Sequence, residues 1–75
     1  MPKVPRVTGE DAVKAFSKAG FMLDRICGSH HILRHPNKRP RLSIPVHKGD
    51  IVGLGLLKSQ IKLADLSVED FISLL

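Results

Sequence analysis

Tryptophan and tyrosine are absent from this chain, and three phenylalanines are its only aromatic rings. All three fall in helical or inward-facing positions, so little is left for stacking splayed, unpaired bases. The single cysteine, Cys27, excludes an internal disulfide and fits a reducing cytoplasm. No apolar run approaches the ~20 residues of a membrane span. The start, Met1 to Arg6, lacks the apolar core of a secretion signal. Length is also scarce. A domain of 75 residues buries only about 60–65% of its unfolded surface, which leaves a thin core and no deep pocket for a large cofactor.

What is present is positive charge, unevenly placed. The chain carries a net charge of +5, and from Arg25 to Lys62 eight cations face one anion, Asp50. A solvated surface accounts for charge of this kind, but its concentration over the centre favours a polyanionic partner: RNA, DNA or an acidic protein. Charge alone does not choose among the three. Hydrophobic residues make up 43% of the chain, enough for a globular fold.

Local patterning predicts one α+β domain over residues 1–75, opening with a short arm at 1–7 that contains Pro2 and Pro5. Thr8 is a helix N-cap, with Asp11 three residues on in the position of a capping box. Ala12, Val13, Phe16 and Ala19 follow as an apolar stripe at helical spacing, and Gly20 supplies the left-handed residue that closes a helix over about 9–19. A first strand is expected from Phe21 to Cys27, with Phe21 and Leu23 on one face. Gly28-Ser29 is a turn signal. A second strand runs from His30 to His35 and stops at Pro36, and residues 37–40 form a charged loop. From Arg41 to His47 the chain alternates, with Leu42, Ile44 and Val46 on one side. Pro45 lacks a backbone donor and places this strand at a sheet edge. A helix over about 53–63 turns Leu54, Leu57 and Ile61 inward. Ser67 starts a third helix, with Asp70 three residues on and Leu66 and Phe71 at hydrophobic-staple positions. Phe71, Leu74 and Leu75 form its inner face. The order α-β-β-β-α-α implies a three-stranded antiparallel sheet with helices on one side.

Opposed residues on antiparallel strands share a face. With Leu42, Ile44 and Val46 facing the helices, their expected partners are His35, Leu33 and His31. That register sets His30 opposite His47, Arg34 opposite Ser43 and Ile32 opposite Pro45. The uncovered face then presents His30, His47, Ser43, Arg34 and Arg41. Adjacent residues on a strand point to opposite faces, so His31 and His35 go to the helix side as partly buried, hydrogen-bonded histidines, and His30 goes to the open, cationic side. Histidine ordinarily titrates near neutral pH, which makes His30 the candidate for proton transfer.

A metal site is not expected. His31 and His35 stand ~13 Å apart along a strand rising ~3.3 Å per residue. His30 and His47 have no carboxylate or thiol placed to complete a tetrahedral set. Cys27 is expected to be a half-buried free thiol, since nothing marks a depressed pKa or an oriented base beside it. Gly53-x-Gly55 lacks the Gly-Lys-Ser/Thr of a phosphate loop and is a turn and helix start.

The run Gly28-Ser29-His30-His31-x-x-Arg34-His35-Pro36 resembles the HicA family of mRNA interferase toxins. So do Ile44-Pro45-Val46-His47, the helix containing Gly55-Leu56-Leu57, and Pro5-Arg6-Val7-Thr8-Gly9 before a helix ending Lys18-Ala19-Gly20-Phe21. Leu33 stands where that family often has an aromatic, and Asp65 where glycine is frequent. The resemblance implies a double-stranded-RNA-binding-domain-like fold. It implies a metal-independent endoribonuclease that cleaves mRNA and arrests translation, with the catalytic histidine at His30. It also implies a HicB-type antitoxin as partner, the chain being a monomer or part of an antitoxin-bound hetero-oligomer.

The residues suit that chemistry. RNA brings its own nucleophile, the 2′-hydroxyl, so a minimal ribonuclease needs proton transfer and charge stabilisation. His30 would act as acid or base, Gly28 and Ser29 would hold the phosphate, and His47 is a second candidate proton-transfer group. Arg34, Lys38, Arg39, Arg41 and Lys48 would bind the RNA backbone, with no cofactor. The alternative is a non-catalytic RNA-binding or regulatory module that uses the same basic sheet face.

Overall fold

Six elements follow one another in the computed structural model, which describes residues 3–75: α1 (Gly9–Lys18), β1 (Met22–Cys27), β2 (His30–His35), β3 (Lys38–Pro45), α2 (Leu54–Leu63) and α3 (Val68–Leu74). The strands form one antiparallel sheet in the order β1-β2-β3. This is the α-β-β-β-α-α architecture expected from the patterning, and it places β3, with Pro45, at an edge. The shortest dimension is 18 Å, the depth of one sheet and one helical layer. None of the described helices is long and apolar enough to cross a membrane. Met1 and Pro2 of the expected arm lie outside the described residues. The end of the arm is tied down: Val7 accepts a backbone hydrogen bond from Val52, and Thr8, which follows it, bridges to Ile51.

Helix ends follow from their residues. The Thr8 hydroxyl accepts the Asp11 amide at 3.1 Å, satisfying a donor that the helix itself cannot. At the other end Gly20 adopts φ +101°. There the Phe21 amide donates to the Phe16 carbonyl and the Gly20 amide to the Ser17 carbonyl, the paired bonds of a Schellman motif. The apolar contact that accompanies such a cap is present too, with the Phe21 ring edge-on to Phe16 at 6.0 Å between centroids. Ser67 and Asp70 form a complete reciprocal capping box on α3.

The C-terminus of α2 repeats the Schellman pattern. Leu66 donates to Ile61 and Asp65 to Lys62, but Asp65 itself carries φ +61°. Left-handed backbone costs an ordinary L-residue roughly 1–2 kcal/mol, less for Asp and Asn. Asp65→Gly removes that strain while making the unfolded chain more flexible. The variant is expected to gain up to about 1 kcal/mol, a rise in Tm of a few degrees for a domain of this size, readable by thermal denaturation.

The core joins Phe16, Phe71, Leu33, Leu42, Ile44 and Leu57, all fully buried. Leu33 and Leu42 are cross-strand partners, which fixes the covered face of the sheet. Three expected inward residues are not inward: Leu23, Leu54 and Leu75 are exposed. The cause for Leu23 is coverage. Helices α1 and α2 lie over β3, and every residue of β1 remains exposed. Phe21 precedes the strand and is buried by the helix cap rather than by strand alternation. Gln60, on α2, is buried instead, and its side-chain oxygen accepts the Ser43 amide at 3.0 Å. That bond closes part of the free β3 edge.

Candidate functional site

The β1–β2 connection is the two-residue turn Gly28-Ser29, with Cys27 and His30 paired across it. Gly28 has φ +60° and Ser29 does not share a positive φ, the pattern of a type II′ hairpin turn with glycine first. A side chain at Gly28 would meet no neighbour within 4 Å, so backbone geometry, not crowding, calls for glycine. The surface over the turn is open. The Ser29 carbonyl accepts from Val46 at 2.7 Å, which ties the turn to the far end of β3.

His30 therefore begins β2 on a rigid base, exposed. Its alternation with buried Leu33 puts His30, Ile32 and Arg34 on the face opposite the core. Behind it, Gly9 lets α1 approach the end of β3, where a Cβ would collide with the Pro45 carbonyl oxygen. Pro45 is the cross-strand partner of His30. Helix α1 thus buttresses the strand pair that carries the histidine.

The β2–β3 register differs from the sequence expectation by two residues. His30 pairs with Pro45, His31 with Ile44, Ile32 with Ser43 and Leu33 with Leu42. A shift of two preserves every face but changes every partner, so His47 does not stand opposite His30. It lies two residues past Pro45, exposed, beyond the end of β3. The turn is Pro36-Asn37 rather than a loop over 37–40, so His35 pairs with Lys38 and the register moves by four at the turn. Two surplus residues on β3 then bring the net shift to two. The His35 Nδ1 accepts the Asn37 amide at 3.0 Å and the ring packs edge-on to Phe21. An irregularity between Leu33 and His35 absorbs the surplus residues on β3.

Lys38 also departs from expectation. Its ammonium donates to the Ala64 carbonyl at 2.7 Å and lies 5.8 Å from the Phe21 ring centre. It caps the C-terminus of α2, where a cation is favoured, and is not part of the open cationic face. Arg39, Arg41 and Lys48 are exposed. His31 is partly buried on the covered face, as expected, but its Nδ1 is enclosed without a hydrogen-bond partner. Cys27 is exposed rather than half-buried.

One residue of the open face escaped the sequence reading. Asp24 lies at a bulge between Leu23 and Arg25 and pairs with Arg34 at 3.5 Å and Arg41 at 3.6 Å. A signal was available: Asp24 is the single anion between Asp11 and Asp50. The bulge that turns it toward the arginines has no such mark.

Among the described residues, no three His, Cys, Asp or Glu side chains are grouped to hold a metal ion. A concavity lies elsewhere, between the arm and the starts of α2 and α3, lined by Val4, Arg6, Leu54, Lys58 and Val68. His30 stands on an open sheet surface, which suits a polymer better than a small enclosed ligand. The family model described as HicA toxin of bacterial toxin-antitoxin matches residues 9–66. No curated protein matches the chain.

Proposed function

The chain belongs to the HicA toxin family of bacterial toxin–antitoxin systems, and from this we propose that it is an endoribonuclease that cleaves mRNA at the open face of its sheet. Membership makes it a toxin with an antitoxin partner; the reaction, the catalytic residue and a HicB-type identity for that partner are our reading. The observation that carries it is the placement of His30. It is exposed at the first position of β2, directly after a fixed glycine-serine turn, on the face that carries Arg34 and Arg41.

His30 exchanges a proton with the 2′-hydroxyl or the leaving 5′-oxygen of RNA. As the 2′-oxygen attacks the adjacent phosphorus, the P–O5′ bond breaks and the departing oxygen takes up a proton. The Ser29 hydroxyl and the open backbone at Gly28 hold the phosphate, where preorganised donors stabilise developing charge. His47, beyond the strand end, is a second candidate for proton transfer, approaching from the segment after Pro45. Arg39, Arg41 and Lys48 supply backbone-directed charge. A HicB-type antitoxin inhibits the toxin by covering this face, and the reaction takes place in the cytoplasm.

The test is incubation of purified protein with a defined RNA in the presence of EDTA. Cleavage to fragments ending in a 2′,3′-cyclic phosphate is the expected result. An intact RNA bound by the protein would overturn the enzymatic reading in favour of a non-catalytic RNA-binding module.

A further inference from the structure

Each strand of the sheet contributes one residue to a charged cluster on the open face: Asp24 from β1, Arg34 from β2 and Arg41 from β3. One carboxylate oxygen of Asp24 lies 3.5 Å from the Arg34 Nε and the other 3.6 Å from the Arg41 Nε. These separations exceed the ~2.7–2.9 Å of a charge-assisted hydrogen bond, so the contacts are loose ion pairs. The arginine side chains are 51% and 62% exposed, and the aspartate between them 28%. Exposed pairs of this kind contribute roughly 0–1 kcal/mol and are readily exchanged. The carboxylate presents two oxygens and one negative charge, one oxygen to each guanidinium. A phosphodiester presents two non-bridging oxygens and one negative charge.

We propose that Arg34 and Arg41 form a phosphate subsite and that Asp24 occupies it, as an internal stand-in for phosphate, until RNA displaces it. The inference rests on the ribonuclease reading above. Arg34 is four residues along β2 from His30, ~13 Å at ~3.3 Å per residue. The phosphate held here is therefore not the scissile one but another further along the same RNA strand. Two consequences follow. The substrate is a chain long enough to span both positions, and Asp24 weakens binding because its carboxylate must leave the arginines and then faces a like charge. The bulge at Asp24 serves this arrangement, since an unpaired residue on β1 can turn its side chain in and out without breaking the ladder.

The test measures affinity for a 2′-O-methyl oligoribonucleotide, which cannot be cleaved. Asp24→Asn keeps the shape of the side chain and removes its charge. Asp65→Asn makes the same change in net charge on the α2–α3 connection and is the control. Asp24→Asn is expected to bind roughly threefold to tenfold more tightly at low salt, and Asp65→Asn less than about twofold. The slope of log affinity against log salt is expected to steepen by about 0.7 for each additional phosphate neutralised. Adding Arg34→Gln to Asp24→Asn is expected to cancel the gain. Asp24→Ser serves as a second variant, and thermal denaturation confirms that each is folded.

Affinity for Asp24→Asn equal to or below that of Asp65→Asn overturns the subsite. Cleavage of unmodified RNA by the wild type, measured in parallel, separates the two readings. Cleavage without a gain from Asp24→Asn removes the subsite alone. Neither binding nor cleavage by the wild type removes the functional reading and the subsite with it.

Discussion

His30→Ala is expected to lower the rate of RNA cleavage by about 10²–10⁴-fold, the usual contribution of one positioned acid or base. Protein stability should change by less than about 0.5 kcal/mol, because His30 is exposed at a strand end and no side-chain hydrogen bond involving it is present among the described residues. The two measurements together make the prediction specific. A misfolded variant would lose activity and its melting transition, whereas loss of a proton-transfer group removes activity alone. Binding should persist, because in the proposed function affinity comes from the cations of the face and from backbone donors, which the substitution leaves in place. In cells, the wild type is expected to arrest growth with RNA fragmentation, and the variant to do neither. A folded His30→Ala protein that cleaves at the wild-type rate would remove His30 from the reaction and direct attention to His47.

Phe16→Ala should have the largest effect on stability, about 3–5 kcal/mol. Small domains hold only about 5–15 kcal/mol in total, and a chain of 75 residues sits toward the low end. The ring is fully buried. It meets Phe21 at 6.0 Å and Phe71 at 5.0 Å between centroids, so it joins the cap of α1 to α3. Helix α3 has seven residues, far fewer than the ~12–15 at which an isolated helix becomes even marginal in water. It holds its shape by burying Phe71. Removing Phe16 opens a cavity beneath it, so part of the helical circular dichroism is expected to disappear along with a fall in Tm of more than about 10 °C. Leu75→Ala, at an exposed position, is the matched control and should shift stability by less than about 0.5 kcal/mol. Comparable melting of the two variants would mean that the core is not organised around Phe16.

Both predictions draw on features of different legibility. The helix caps at Thr8, Gly20 and Ser67 could be read from residue type, because capping is satisfied within three or four residues by the groups that carry the signal. Strand alternation sent His30 and His31 to opposite faces for the same reason: the period of two is a property of the extended backbone. The cross-strand partners were another matter. Pro36-Asn37 closes the hairpin in two residues, and nothing local separates that closure from a four-residue loop over 37–40. That closure moved the register by four, and the irregularity between Leu33 and His35 returned two. The net change kept faces and changed neighbours, and His47 ceased to be the partner of His30.

The run from Cys27 to His31 thus held enough local information to set a turn, the start of a strand and the side on which His30 emerges. Each depends on a few adjacent φ and ψ angles and on which residue types tolerate them. Its surroundings depend on long-range assembly. The helices settled over β3 and left β1 uncovered, so Leu23 is exposed although its spacing is that of a buried residue. Lys38 was drawn to the end of α2 and away from the cationic face. Asp24 met Arg34 and Arg41 through a bulge whose position follows from how three strands align. Contacts between residues distant in sequence are chosen by packing and charge across the whole sheet, and no window of neighbouring residues contains that choice.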